Sequence, residues 1–490
     1  MTSRLHLFSR CGAGFVLAGA VLLAPTAAAQ QIDPQEAGTP AGNLFGDRAG
    51  LLLSGDPQAA ENPPPVATQP KRFLPAAAGV VLLEVGPWAF DRYVSKESFS
   101  YISFDTIKQN FKTGFHYDRD AFRVNQSSHP YHGGLFFDSA RSNGYGYWES
   151  GLFAMAGSLI WECCMENTAP SINDFVNTTL GGMTRGEVAH RASVLILDNT
   201  ASGASRLWRE IAAGIINPVG AINRLLRGEM SRDFPNPDDR FPSGFALSVD
   251  GGYRRTSGEG ERLDQGFLSV SALYGNPFAG DIRHPFDTFW VGIDVNSPGG
   301  TFVSRFEERG ILKGWELTDS SSRARLIFGF SQEYEYLNNK SQVFGAQMFG
   351  AGFLGRYQIR PGLTAVTDLS AVAFPLAGIR TTDFENPQTG RNYDYAPGGG
   401  VRTEGRIYSG GREILGAGYG VVWARTANGT SDTNTLQFFR AVARLPISGP
   451  VSAGAAYAWY SRKTTYTGFF EPRQTQNEGR VFLNWVFPNR

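Results

Sequence analysis

The residues of this 490-residue chain whose types could do chemistry gather between positions 116 and 190. Four of its six histidines lie there: His116, His129, His132 and His190. The segment His129-Pro130-Tyr131-His132-Gly133-Gly134 runs on through Asp138, Ser139, Ala140, Arg141, Asn143 and Gly144. Trp161, Glu162, Glu166, Asp174, Asn177 and Glu187 follow. Two chemistries and one structural role are open to such a set. His129 and His132 with Glu162 or Glu166 could supply three metal ligands. A His-x-x-His with proline at its second position is not expected to be helical, however, and lacks the acid of a zincin motif. Ser139 with His129 or His132 and Asp138 could form a nucleophile, base and acid, although Ser139 does not sit in a Gly-x-Ser-x-Gly elbow. The plainer reading is structural. Polar residues between helices mostly cap, bridge and hold buried turns. On that reading His129 to Gly144 is a tightly hydrogen-bonded loop, and Tyr131, Asp138, Arg141, Glu162, Glu166, Asp174, Glu187 and His190 form a binding or structural polar cluster. The sequence therefore predicts no metal and no cofactor. His129, His132 and Ser139 are kept as the catalytic residues of an alternative.

Those same residues carry a resemblance. The run from about Phe104 to Glu187 resembles a bacterial family carrying a domain of unknown function. Its members pair a His-Pro-Tyr…Ala-Arg-x-x-Gly segment with helices and a β-rich C-terminal half. The matching positions are His129, Pro130, Tyr131, Gly133, Ala140, Arg141, Gly144, Trp161, Glu162, Ser171, Asp174, Gly182 and Glu187. The resemblance covers roughly a fifth of the chain and implies a place in the cell envelope, not an activity.

The elements that must position these residues read as helices over 73–233. Trp148, Leu152, Met155, Leu159 and Cys163 recur three or four apart, the spacing of one helix face. Ser171, after Pro170 and before Asp174, is placed to cap a helix N-terminus, with the acid favourable in its first turn. That helix carries Gly181-Gly182 in its middle, which predicts a kink or a close approach of two helices. Further helices are expected over Ser205 to Ile216 and from Pro218, a residue suited to a first turn. Phe73 to Phe90 is interrupted by Pro75, Glu84 and Pro87, so no helical membrane span is predicted.

From Phe241 onward the period becomes two. Leu415, Ala417, Tyr419, Val421 and Trp423 form one face of a strand whose other face holds Gly416, Gly418 and Gly420. Val451 to Trp459 and Arg323 to Glu333 alternate in the same way. Such strands suit a tilted membrane wall, with one face toward lipid and the other toward a lumen. Strand starts fall near Phe241, Gln265, Phe286, Thr301, Leu312, Ser322, Gln342, Gly362, Gly400, Glu413, Thr435, Pro450 and Gly479. Single-chain bacterial barrels favour even numbers, so one of these belongs to a neighbour, leaving about 12. Arg380 to Gly399 reads as a long outer loop. Val481, Leu483, Trp485 and Phe487 give a terminal apolar face with a closing aromatic. That ending resembles the signal read by barrel-assembly machinery, although Pro488-Asn489-Arg490 follow it.

Composition agrees. Aromatic residues are 13% of the chain and glycines number 59, which suits a lipid-facing barrel more than a soluble sandwich. Residues 1–29 read as a signal peptide, with Arg4 and Arg10 before an apolar run and Ala27-Ala28-Ala29 as the cleavage site. Cleavage would leave 43 basic against 45 acidic side chains. No basic excess remains to track phosphates, which argues against nucleic acid. Residues 30–72, rich in proline, read as a disordered leader. Cys163 and Cys164 are adjacent and cannot staple distant segments; two reduced thiols on a helix are expected.

The sequence thus predicts an α+β chain: an N-terminal helical unit over 73–233, then an antiparallel outer-membrane β-barrel over 241–490. Its expected partners are outer-membrane lipids and the assembly machinery. Its expected role is envelope organisation or small-solute passage, with a lipid-modifying hydrolase or acyltransferase as the alternative.

Overall fold

The computed structural model describes residues 70–490 except 259, 300, 319–321, 340, 381–388, 467–472 and 488–490. The predicted signal peptide, nearly all of the leader, and Pro488-Asn489-Arg490 lie outside the described residues. The rest forms two compact units that divide after Phe241.

In the first unit α1 spans Phe73–Phe90 and runs on through a π-helical turn, Asp91–Ser95. The helix is continuous although prolines interrupt the apolar run, and by length and composition alone Phe73–Ser95 could cross a membrane. Pro75 stands in the first turn, where a missing N–H costs nothing. Pro87 falls one turn from the end, just ahead of the π turn. Helix α2 (Phe104–Thr113) starts at a capping box between Ser103 and Thr106. Helix α3 (His129–Arg141) continues a π turn over Val124–Ser128 and has proline in its first turn. Helix α4 (Tyr147–Ile160) leads into a π turn, Trp161–Met165, that holds both free thiols. Next, α5 (Ile172–Val176), a π turn (Asn177–Gly181) and α6 (Gly182–Ile196) form one irregular rod. Helices α7 (Gly203–Ile216) and α8 (Pro218–Leu226) close the unit.

The segment from His129 is therefore a helix, not the loop read from its proline, because Pro130 occupies a helix start. Of the two outcomes expected of the glycine pair, the close approach is met. The π turn ending at Gly181 disturbs the helical ladder, and Gly182 meets Gly133 of α3 backbone to backbone. A Cβ on Gly133 would lie 1.8 Å from the Thr178 carbonyl oxygen, and one on Gly182 would lie 2.4 Å from the Gly133 carbonyl carbon. The stripe of large residues on α4 does not face the core. Trp148 and Leu152 are 56% and 60% exposed, while Ser150, Gly151, Ala154, Gly157 and Ser158 are buried.

The second unit is twelve antiparallel strands: β1 Phe245–Gly258, β2 Glu261–Tyr274, β3 Phe289–Ser297, β4 Val303–Glu316, β5 Ala324–Asn338, β6 Val343–Arg360, β7 Leu363–Arg380, β8 Tyr393–Ser409, β9 Arg412–Arg425, β10 Thr433–Ser448, β11 Val451–Thr465 and β12 Arg473–Phe487. Each pairs with its sequence neighbours, and β1 pairs with β12 from Leu247↔Phe487 to Ser257↔Asn477, closing the barrel. The predicted starts at Thr301 and Leu312 both belong to β4. A bulge between Ile311 and Lys313 shifts the register there and reverses the alternation, so one strand reads as two. The predicted outer loop over Arg380 to Gly399 is shorter than expected, because β8 begins at Tyr393 with Tyr393 and Tyr395 fully buried.

Large apolar side chains are exposed along one face of many strands: Phe353, Leu369, Val401, Leu415, Tyr419, Trp423, Tyr457, Leu483 and Trp485. The opposite face is buried and largely polar. A closed sheet with a greasy outside satisfies every ladder hydrogen bond without an edge, the requirement for crossing hydrocarbon. The second unit is thus a membrane-spanning barrel of the outer-membrane type.

Candidate functional site

Two groups of buried polar side chains stand out, one in each unit. In the helical unit the predicted residues separate into distinct sites. His129 begins α3, and its Nε2 lies 3.2 Å from Asp174 Oδ1 and 4.0 Å from Asp120 Oδ2. Asp174 is placed by the start of α5, where Ser171 Oγ accepts its backbone N–H at 3.3 Å. Asn173 Nδ2 donates to Asp174 Oδ1 and to Asn125 Oδ1, both at 2.7 Å. Glu162 accepts the Ser171 N–H at 2.7 Å, and Glu166 accepts Trp161 Nε1–H at 2.6 Å. Burial raises the pKa of Asp174 well above the carboxylate range, and the charge of Asp118 adds to it. Burial likewise raises Glu162, with Glu166 adding. Burial lowers His129 to about 4.

His132 is engaged elsewhere. Its Nε2 lies 3.2 Å from the Leu83 carbonyl oxygen of α1, and its ring packs 4.4 Å from Phe136 and 5.4 Å from Trp161. Ser139 donates its hydroxyl proton to the Ala76 carbonyl at 2.8 Å and is fully buried. Ten residues separate it from His129 on one helix, about 15 Å at the helical rise. The structure therefore does not bring Ser139 to either histidine. The catalytic reading fails on geometry, and a lipid-modifying enzyme finds no support. Tyr131, also on α3, is half-buried.

Asp138, Arg141, Glu187 and His190 belong to a second cluster. Arg141 donates to Glu187 through Nε at 2.8 Å and Nη2 at 3.2 Å, and Arg191 donates to it at 2.7 Å. Both arginines also reach Asp239, at 3.3 and 3.5 Å. Burial alone would raise Glu187, but Arg141 and Arg191 outweigh it and hold the carboxyl at about 2. Asp138 is buried beside them, raised by burial and by the charge of Glu187. His190 is kept neutral by burial and by Arg141, its pKa lowered to about 3.

Sequence reasoning missed Asp118, Asp120 and Asn125. The signal was present as an Asp-x-Asp pair at 118 and 120, shortly before His129, but only folding shows that it meets Asp174.

The other buried group lines the barrel. Along the inward face of β5 the order is Ile327, then Glu333 and Glu335, then Leu337. Along β7 it is Val366, Asp368, Ser370 and Val372. A charged band thus lies between two apolar clusters, one around Trp290, Ile327 and Tyr408 and one around Met348, Phe374 and Val422. Within the band the ions pair across strands. Arg309 on β4 meets Asp368 on β7, and Arg402 on β8 meets Glu333 on β5. Arg444 on β10 meets Asp250 on β1 at 3.1 Å, and Arg480 on β12 meets Asp294 on β3 at 2.9 Å. Every one of these eight side chains is at most 6% exposed.

Residues 114–219 match the model of a family described as a domain of unknown function, DUF3943. No curated protein matches the chain. Among solved structures the chain is similar to the NanC porin, at 11% identity over 49% of this chain and 98% of that one, with a TM-score of 0.26. The KdgM porin is 12% identical over 49% and 99%, with a TM-score of 0.22. OmpT of Vibrio cholerae is 10% identical over 50% and 98%, with a TM-score of 0.23.

Proposed function

We propose that this protein is exported, loses a leader peptide after Ala29, is inserted in the outer membrane by the barrel-assembly machinery, and there passes small polar solutes through a lumen gated by ion pairs. One observation carries the reading: Arg309–Asp368, Arg402–Glu333, Arg444–Asp250 and Arg480–Asp294 each bridge strands three apart around the barrel. A lumen of twelve strands is wide enough to need filling, and paired charges fill it with groups that can also hydrate and part. A buried ion pair adds little net stability over an apolar pair of the same shape. Charges in that position therefore serve passage better than they serve folding.

Single-channel recording in planar bilayers tests this. The wild-type protein should show low or intermittent conductance. The double substitution Arg402→Ala with Glu333→Ala removes that bridge and the Arg309–Glu333 contact while Arg309 keeps Asp368, and it should raise the conductance several-fold. Silence of both proteins under all voltages would refute passage.

A further inference from the structure

We infer that Asp120, His129 and Asp174 form a binding site for one divalent transition-metal ion of the Zn2+ or Mn2+ class. The inference concerns the helical unit alone and stands apart from solute passage.

The geometry is that of a ligand set. The three donor atoms lie within 4.8 Å of one another, with His129 Nε2 3.2 Å from Asp174 Oδ1 and 4.0 Å from Asp120 Oδ2. Ligands bonded at roughly 2.0–2.2 Å stand about 3–4 Å apart around such an ion. His129 Nε2 is inaccessible to solvent and makes no hydrogen bond among the described residues, so it is aimed at the carboxylates with its own bonding capacity unused.

Charge points the same way. The two buried clusters of this unit differ in one respect. Glu187 is neutralised from within by Arg141 and Arg191. Around His129, by contrast, Asp174, Glu162 and Glu166 make no ion pair with lysine or arginine among the described residues, and Asp118 and Asp120 bring further negative charge beside them. Buried carboxylates are paired or coordinate metals. A dication at this point does for the carboxylates around His129 what two guanidinium groups do for Glu187.

The surroundings are arranged as around a ligand. Asn173 holds Asp174 Oδ1 from the side chain, and Ser171 Oγ holds the Asp174 main chain. Supporting bonds of this kind fix a ligand's orientation. Asp120 is half exposed, at 53%, and offers the entry path. His132, bound to Leu83, is not part of the set. One imidazole with two carboxylates, leaving positions for water, favours Zn2+ or Mn2+ over Ca2+ or Mg2+, which prefer oxygen alone.

The test uses untagged full-length protein in detergent, with Cys163→Ser and Cys164→Ser to remove competing thiolates. After chelator treatment and dialysis, Zn2+ and Mn2+ are titrated in turn by calorimetry, and the helical melting midpoint is read with and without metal. The expected result is one ion per chain, a raised midpoint, and at least a tenfold loss of affinity in both Asp120→Asn and His129→Gln. Absence of binding overturns the inference. So does binding with the same affinity in Asp120→Asn, whose half-exposed side chain is replaced without disturbing the fold. If His129→Gln fails to fold, Asp120→Asn alone decides.

Discussion

The substitution Glu187→Gln isolates one buried charge whose magnitude can be worked out. Glu187 is fully buried and accepts from both Arg141 and Arg191. Glutamine keeps the volume and one acceptor but leaves two guanidinium groups sharing Asp239, which is 34% exposed. The carboxyl falls from 4.5 to about 2 in the fold, which corresponds to about 3 kcal/mol. Removing one partner of a buried pair costs roughly 3–5 kcal/mol by a separate line of reasoning, so the two agree. For a unit of this size about 3 kcal/mol should lower the melting midpoint by roughly 6–12 °C. The assay is the helical far-UV signal of the full chain in detergent, with electrophoretic migration before and after heating to follow the barrel separately. The sign with pH is fixed. A carboxylate whose folded pKa is depressed stabilises fully above its unfolded value, and that stabilisation fades as pH falls toward the folded one. The gap between wild type and Glu187→Gln should therefore be constant near neutrality and close between 4.5 and about 2. Equal midpoints at neutral pH, or a gap that survives below pH 2, would mean that the Glu187 charge does not stabilise the helical unit.

Other expectations follow from single contacts. Gly133→Ala must push a Cβ away from the Thr178 carbonyl, 1.8 Å distant, and should cost about 1–3 kcal/mol or more, seen as faster proteolysis of the helical unit. Leu369→Arg places a charge on the lipid side midway along β7 and should cost about 2–4 kcal/mol, read as a lower folded fraction in lipid vesicles. Arg444→Met leaves Asp250 and Glu413 without their shared guanidinium. It should cost roughly 3–5 kcal/mol, measured as a lower denaturant midpoint of the barrel, while Arg444→Met with Asp250→Asn should recover part of that, since Glu413 keeps Arg406.

Much of the fold was readable because membrane strands and helices write their period into the chain. Leu415, Tyr419 and Trp423 announce a greasy outer face wherever β9 sits, and Ser171 with Asp174 announces a helix start. The glycine pair at 181–182 foretold a close approach. Local pattern misled where a local exception intervened. The bulge at Ile311 split one strand into two readings, and Pro130, taken for a loop residue, stands where a helix begins.

The order of the units, the period-two alternation that gives each strand a lipid face, and the residue types available for chemistry were set by the sequence alone, since each depends on neighbours in the chain; closing the wall needed β1 to meet β12, far away along the chain. Only tertiary structure decided which side of α4 is buried. There Gly157 lets the Phe136 ring approach where a Cβ would lie 2.6 Å away, so small residues, not large ones, face inward. Tertiary structure also decided which polar residues meet. Asp174 is 45 positions from His129 and reaches it from a separate element, while Ser139, only ten positions away, is carried off along the same helix. Sequence distance sets what a helix can bring together only within a turn or two; beyond that, packing chooses.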